Sequence, residues 1–144
     1  MRSRIIIAIG MMALTAAVVQ GAGSITASVA PAKNTAKHTI RWTSDASGAV
    51  SGPTFTLTTG DIVRIELEPG TGGSQPSIGY DLQITTEAGF DILQGQGADL
   101  SNSSAAPPIL GPGMRVTSAE SFGLVVANAG NAKSGVVRIW IDQP

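Results

Sequence analysis

The 144-residue chain holds a single histidine, His38, and no cysteine. Those two counts limit its chemistry at once. Thiolate nucleophiles, zinc fingers and disulfide frameworks are excluded, and so is any site that needs two imidazoles. Nucleophilic catalysis would have to use His38 as its base, with Asp45, the nearest acid in sequence, orienting the ring. No G-x-S-x-G elbow accompanies them. The ordinary reading of His38 is a strand histidine, half buried or facing a neighbour. Glu66 and Glu68 are the next candidates: at i and i+2 on a strand they share a face, near the roughly 5–9 Å separation of a glycosidase pair. Arg64 lies on that same face, and the expected arrangement is a solvated charge ladder with an Arg64–Glu66 contact.

Metal and phosphate chemistry fare no better. Asp91, Asp99 and Asn102 flank a long loop of the kind that holds calcium in some β proteins, but calcium takes about six to eight oxygens and no dense D-x-D-x-D-G run is present. The stretches GTGG (70–73) and GQGAD (95–99) are not phosphate loops, because neither opens a helix behind a strand. Net charge is −1, basic residues are scattered and aromatics make up 4% of the chain, which leaves no footprint for nucleic acid. Asn102-Ser103-Ser104 fits a glycosylation sequon, and Trp42 and Trp140 read as core or interface anchors. The sequence is therefore expected to carry no catalytic residue, no cofactor or metal ligand and no small-molecule substrate. A small secreted hydrolase would require Glu66, Glu68 or His38 to occupy a cleft with a raised pKa.

Two segments must be separated before the remaining residues can be positioned. Arg2 and Arg4 precede an apolar run from Ile5 to Val19, and small residues follow at Gly21, Ala22 and Gly23. That is the layout of a secretory signal peptide. As a helix the run would span about 22 Å, short of the roughly 30 Å hydrocarbon core, so no stable membrane span is expected. The alternatives are a retained apolar arm or a true start further along the chain. The division is thus a leader, 1–22, and a single domain, 23–144. Without Arg2 and Arg4 the domain has seven basic residues against ten acidic ones, a net charge of −3.

Within the domain, apolar residues recur with period two between Gly, Pro, Asn and Ser, the signature of half-buried strands. Strands are expected at Ser24–Ala30, Lys37–Thr43, Thr54–Thr58, Asp61–Glu68, Tyr80–Thr86, Phe90–Leu93, Phe122–Ala127 and Val136–Ile141. Ile25, Ala27 and Val29 share one face of the first; His38, Ile40 and Trp42 share one face of the second. Val63 falls out of phase and marks a bulge. The last two strands are the most apolar and are expected to lie centrally. No 3.6-residue period is sustained anywhere after residue 23. Eight or nine short strands predict an all-β, antiparallel β-sandwich or jelly-roll-like domain.

Turn chemistry supplies the connections. Gly60-Asp61, Ala88-Gly89 and Gly130-Asn131 read as tight hairpin corners. Two long loops remain, Glu68–Ser77 and Gln94–Pro112. A structureless loop as long as the second serves binding or assembly, or is disordered.

Three stretches carry a resemblance: Trp42 through Gly48 (WTSDASG); Pro69-Gly70, Gln75-Pro76-Ser77, Tyr80-Asp81 and Gly89 through Ala98; and Ala129 through Gly135 (AGNAKSG). Together they resemble a family of small proteins of tailed bacteriophages and prophages, with coverage of about 110 residues. The resemblance implies a small β-sandwich subunit of the virion, attached to head or tail as a decoration, connector or tail-associated protein. It would act without catalysis, through contacts with other virion proteins and with copies of itself in a trimer or ring. The chain departs from the family at its apolar front. The alternative expectation is a secreted or periplasmic bacterial β-sandwich, an accessory or adhesion domain binding a glycan or surface partner.

Overall fold

The computed structural model of the chain describes residues 23–111, 113–117 and 120–144; the leader expected at 1–22 lies outside them. In chain order the strands are β1 (Ser24–Pro31), β2 (Thr35–Thr43), β3 (Thr54–Thr56), β4 (Gly60–Pro69), β5 (Asp81–Thr86), β6 (Ile109–Leu110), β7 (Arg115–Val116), β8 (Ser121–Ala127) and β9 (Ser134–Asp142). Helix among the described residues is limited to a 3-10 turn at Gly72–Ser74. The protein is all-β and every strand pair is antiparallel. The larger sheet runs β1-β2-β9-β4-β6, with β7 also on β4; the smaller runs β3-β8-β5.

Alternation explains how the sheets meet. Ile40 and Trp42 of β2, Val137, Ile139 and Ile141 of β9, and Ile62, Ile65 and Leu67 of β4 all point to one side. They join Leu82, Ile84, Phe122, Leu124 and Val126 of the smaller sheet in a single apolar cluster. Trp42 and Tyr80 meet at a centroid separation of 5.8 Å, and Phe55 stacks near Phe122 at 6.0 Å. Burial pushes the Tyr80 phenol up to about 12. The two most apolar strands are indeed central, β9 between β2 and β4 and β8 between β3 and β5. The bulge falls where the phase of Val63 places it, with the register shifting between Ile62 and Arg64.

Several expectations are corrected. Phe90–Leu93 is not a strand. Only Asp91 bridges to Thr85, and turns follow through Gly97. The reason lies in the next residues: the segment 91–100 runs along the outer edge of β5, with Ile92 N–H donating to the Ile84 carbonyl at 2.8 Å and Leu82 N–H to the Gly97 carbonyl at 2.7 Å. The positive-φ residues Gln94 and Gly95 insert a turn that breaks a regular ladder. Gln94–Pro112 is accordingly not a structureless loop. Leu100 and Ile109 are buried, and β6 forms inside it.

Gly60-Asp61 and Gly130-Asn131 are not hairpin corners either. Gly60 and Asp61 are the first residues of β4, and Gly130-Asn131 lies between β8 and β9; in both places the consecutive strands, β3 and β4 or β8 and β9, belong to opposite sheets. Ala88-Gly89 is a tight turn, closed by Gly89 N–H to the Thr86 carbonyl at 2.9 Å. A hairpin that the sequence pattern does not announce joins β1 to β2, closed by Ala32 N–H to the Thr35 carbonyl at 2.7 Å.

Candidate functional site

Among the described residues a groove of about 510 Å³ lies between β1, the outer strand of the larger sheet, and β3, the outer strand of the smaller. Its apolar lining comes from Ile25, Ala27 and Val29 of β1 and from Phe55 and Leu57 at and just after β3. Its polar lining is Ser28, His38 and the threonines 54, 56 and 58. The groove exists because β1 continues the core-facing row of β2 while β3, three residues long, is too short to cover it. Ile25, Ala27 and Val29 stand opposite Trp42, Ile40 and His38. Those three β2 residues are buried, whereas Val29 remains 50% exposed.

His38 forms the floor of the groove. Its Nε2 accepts the Thr58 backbone N–H at 3.2 Å and lies 3.1 Å from the Thr58 hydroxyl. A nitrogen that accepts an amide proton is unprotonated, so the ring is held neutral with its proton on Nδ1. Burial lowers its pKa as well. A raised pKa is what the hydrolase reading needed, and the shift runs the other way. Asp45 does not orient this ring. Its Oδ1 accepts Ala49 N–H at 3.0 Å, the Ser47 hydroxyl at 2.7 Å and Ser47 N–H at 2.8 Å. The Ala49 bond first, then the Ser47 hydroxyl, hold the carboxyl below its usual range.

The carboxylates Glu66 and Glu68 lie on the opposite face of the larger sheet, away from the groove. Arg64 pairs with Glu66, and Arg138 of β9 pairs with Glu68. The Arg64 guanidinium also sits 5.2 Å from the ring centroid of Trp140, its direct partner across β4 and β9. Trp42, by contrast, is core. The Arg138–Glu68 pair is invisible to sequence spacing because its members are 70 residues apart and meet only through sheet register.

Asp91, Asp99 and Asn102 are not brought together as ligands. Asp91 accepts backbone N–H groups from Leu93 and Gly95, both at 3.0 Å, and from Ile84 at 3.3 Å. It thereby closes the turn that follows it. Among the described residues no cluster of three or more His, Asp or Glu side chains could hold a metal ion. Beside the Asn102 loop a smaller polar cleft of about 250 Å³ lies between Glu68–Gln75 and Asn102–Ala105.

A further polar network joins three remote stretches of chain. Ser44 Oγ donates to the Gly130 carbonyl at 2.6 Å and accepts the Lys133 N–H at 2.9 Å. Ser44 N–H donates to the Lys133 carbonyl at 2.7 Å, Ala129 N–H to the Gly48 carbonyl at 3.0 Å and Ser77 N–H to the Ala129 carbonyl at 2.8 Å. Gly135 lies against Trp42 so closely that a Cβ there would stand 2.6 Å from the indole. Residues 42–48, 77 and 129–135 thus form one junction between the sheets. Comparison of the chain with family profiles, curated proteins and solved structures finds no match to any of them.

Proposed function

We propose that this chain is a non-enzymatic structural subunit of a tailed-bacteriophage particle, a decoration, connector or tail-associated protein. The observation that carries the reading is the junction just described. Two of the stretches on which the phage resemblance rests, Trp42–Gly48 and Ala129–Gly135, are tied together by the Ser44 hydroxyl and by backbone hydrogen bonds. Their chemistry is that of a scaffold: a serine that ties its own stretch to the loop 129–135 and a glycine that admits an indole. A subunit whose work is to hold shape and present surfaces needs such a junction and no reacting group.

The finer architecture belongs to the same proposal. The strand orders β2-β9-β4-β6 and β3-β8-β5 alternate between sheets along the chain, which supports a jelly-roll reading in which segment 91–100, bridged to β5, takes the place of an eighth strand. The partners are other virion proteins and copies of the chain itself. Mass spectrometry of intact particles tests the reading: peptides from residues 23–144 are expected in stoichiometric amount, and their absence from purified virions overturns it.

A second reading rests on Arg2, Arg4 and the apolar run Ile5–Val19: export and a periplasmic or secreted binding role. Loss of residues 1–21 or 1–22 from the intact mass of the natural protein supports that reading. A full-length or internally started chain in particles supports the virion.

A further inference from the structure

We propose that β1 is a self-association edge, pairing antiparallel with β1 of a second copy in a register centred on Ala27. The proposal takes from the virion reading only the idea that copies meet one another.

Three observations lead to it. First, among the described residues β1 is the outer strand of the larger sheet, and from Ser24 to Ala30 no charge, proline or bulge guards it; Pro31 blunts only its last position. Its sequence, SITASVAP, contains no charged residue, and its register against β2 runs without a bulge from Ser24 to Pro31. Edge strands of proteins that stay monomeric are blunted along their length by lysines, prolines, bulges or covering loops.

Second, the phase of the ladder leaves a usable set of backbone groups. Residue pairs in an antiparallel ladder alternate between exchanging both hydrogen bonds and exchanging none. The Ala32–Thr35 bond marks that pair as a bonded one, so Ala30, Ser28, Thr26 and Ser24 bond to β2. Ile25, Ala27 and Val29 therefore turn their N–H and C=O groups outward. Pro31, which has no N–H, falls in the same outward set.

Third, the strand is a near-palindrome about Ala27. In the centred register Ala27 meets its own copy, Ile25 meets Val29 of the other chain, Thr26 meets Ser28, and Ser24 meets Ala30. Isologous contacts require such self-complementarity. The three outward residues then form three bonded pairs, about six backbone hydrogen bonds in all. Ile25, Ala27 and Val29 of both copies line one continuous apolar row, and each groove opens onto the other. A single strand per copy is a small interface, below about 1,200 Å². Association is accordingly expected to be concentration-dependent, and favoured wherever copies are crowded.

The chain has no native cysteine, so single thiols report the register in the full-length protein. Ala27→Cys places two sulfurs on a bonded pair, whose Cα separation of about 5.5 Å lies within disulfide range. Ser28→Cys places its two sulfurs two residues out of register, beyond about 7 Å. Mild oxidation is expected to cross-link Ala27→Cys at least about tenfold faster than Ser28→Cys, because only the first pair lies within the Cα separation that a disulfide spans. In sedimentation of the full chain, Ala27→Pro, which removes an outward N–H and no internal bond, and Val29→Lys are each expected to weaken dimerisation about tenfold or more, at least about 1.4 kcal/mol. Unchanged circular dichroism would show that both variants still fold. The proposal is overturned by a chain that stays monomeric at all concentrations, as it would if residues 1–22 of the same chain covered β1. It is equally overturned by a dimer that survives both variants, or by equal cross-linking of the two thiols. Virion composition has no bearing on any of these outcomes, so the two readings fail separately.

Discussion

Replacing Gly97 by alanine should detach the segment 91–100 from β5. Gly97 lies so close to β5 that a Cβ would stand 1.9 Å from the Leu82 carbonyl oxygen and 3.0 Å from its carbon. Ordinary contact begins at 3.4 Å. The obstruction is backbone, so the segment itself must withdraw by more than about 1 Å, enough to forfeit a quarter to a half of each van der Waals contact along it. Withdrawal breaks the 2.7 Å bond from Leu82 N–H to the Gly97 carbonyl. A buried donor left unsatisfied costs about 1–3 kcal/mol. Leu93 and Leu100, now buried, would lose packing as well, bringing the total to about 2–5 kcal/mol. For a domain of this size that lowers Tm by about 8–20 °C.

Gly95→Ala is the control. Gly95 has φ +79°, and a methyl group added there would meet nothing within 4 Å, so only the backbone conformation is penalised. That cost is about 1 kcal/mol, near 4 °C. Thermal unfolding of both variants decides the matter, with amide exchange at Leu82 as the local readout. If Gly97→Ala is as stable as Gly95→Ala, or if Leu82 stays protected from exchange, the segment does not pack on β5 through Gly97.

Two further outcomes concern stability. Because the folded pKa of His38 lies below its ordinary 6.5, folded and unfolded chains both carry it neutral above that value. As pH falls through 6.5 the unfolded chain takes up the proton first, so stability is lost down to the lowered folded value, by at most about 1.4 kcal/mol per pH unit. Urea midpoints at pH 7.5 and 5.5 should diverge for the native chain and diverge less for His38→Gln; equal divergence would refute the assignment. Ser44→Ala removes every hydrogen bond of a buried hydroxyl, strands the Lys133 N–H and should cost about 1–3 kcal/mol in chemical denaturation. A change under about 0.5 kcal/mol, the size of an ordinary surface substitution, would deny the junction its structural role.

Period-two alternation is enough to place seven of the strands, because a strand that buries one face must alternate wherever it lies. It fails at Phe90–Leu93, where apolar residues cap the edge of β5 through turns that Gln94 and Gly95 impose. It also misses β6 and β7, two residues each, which exist only because β4 offers them an edge. The alternation of β1 is legible, yet the sequence does not reveal that its apolar row stays uncovered. That depends on β3 being too short to reach it.

For the chemistry the division is similar. The residue counts alone exclude thiolate and two-imidazole sites, and the Arg64–Glu66 spacing announces its own contact. The sequence does not show that His38 faces Thr58 while Asp45 closes its own loop, nor that Ser44 spans 86 residues to Gly130. Composition and local period are properties of neighbours along the chain, and they determine strand content and the excluded chemistries. Which strands cross between sheets, which edge is left open and which polar atoms meet are decided by non-local register, and only the tertiary structure contains it.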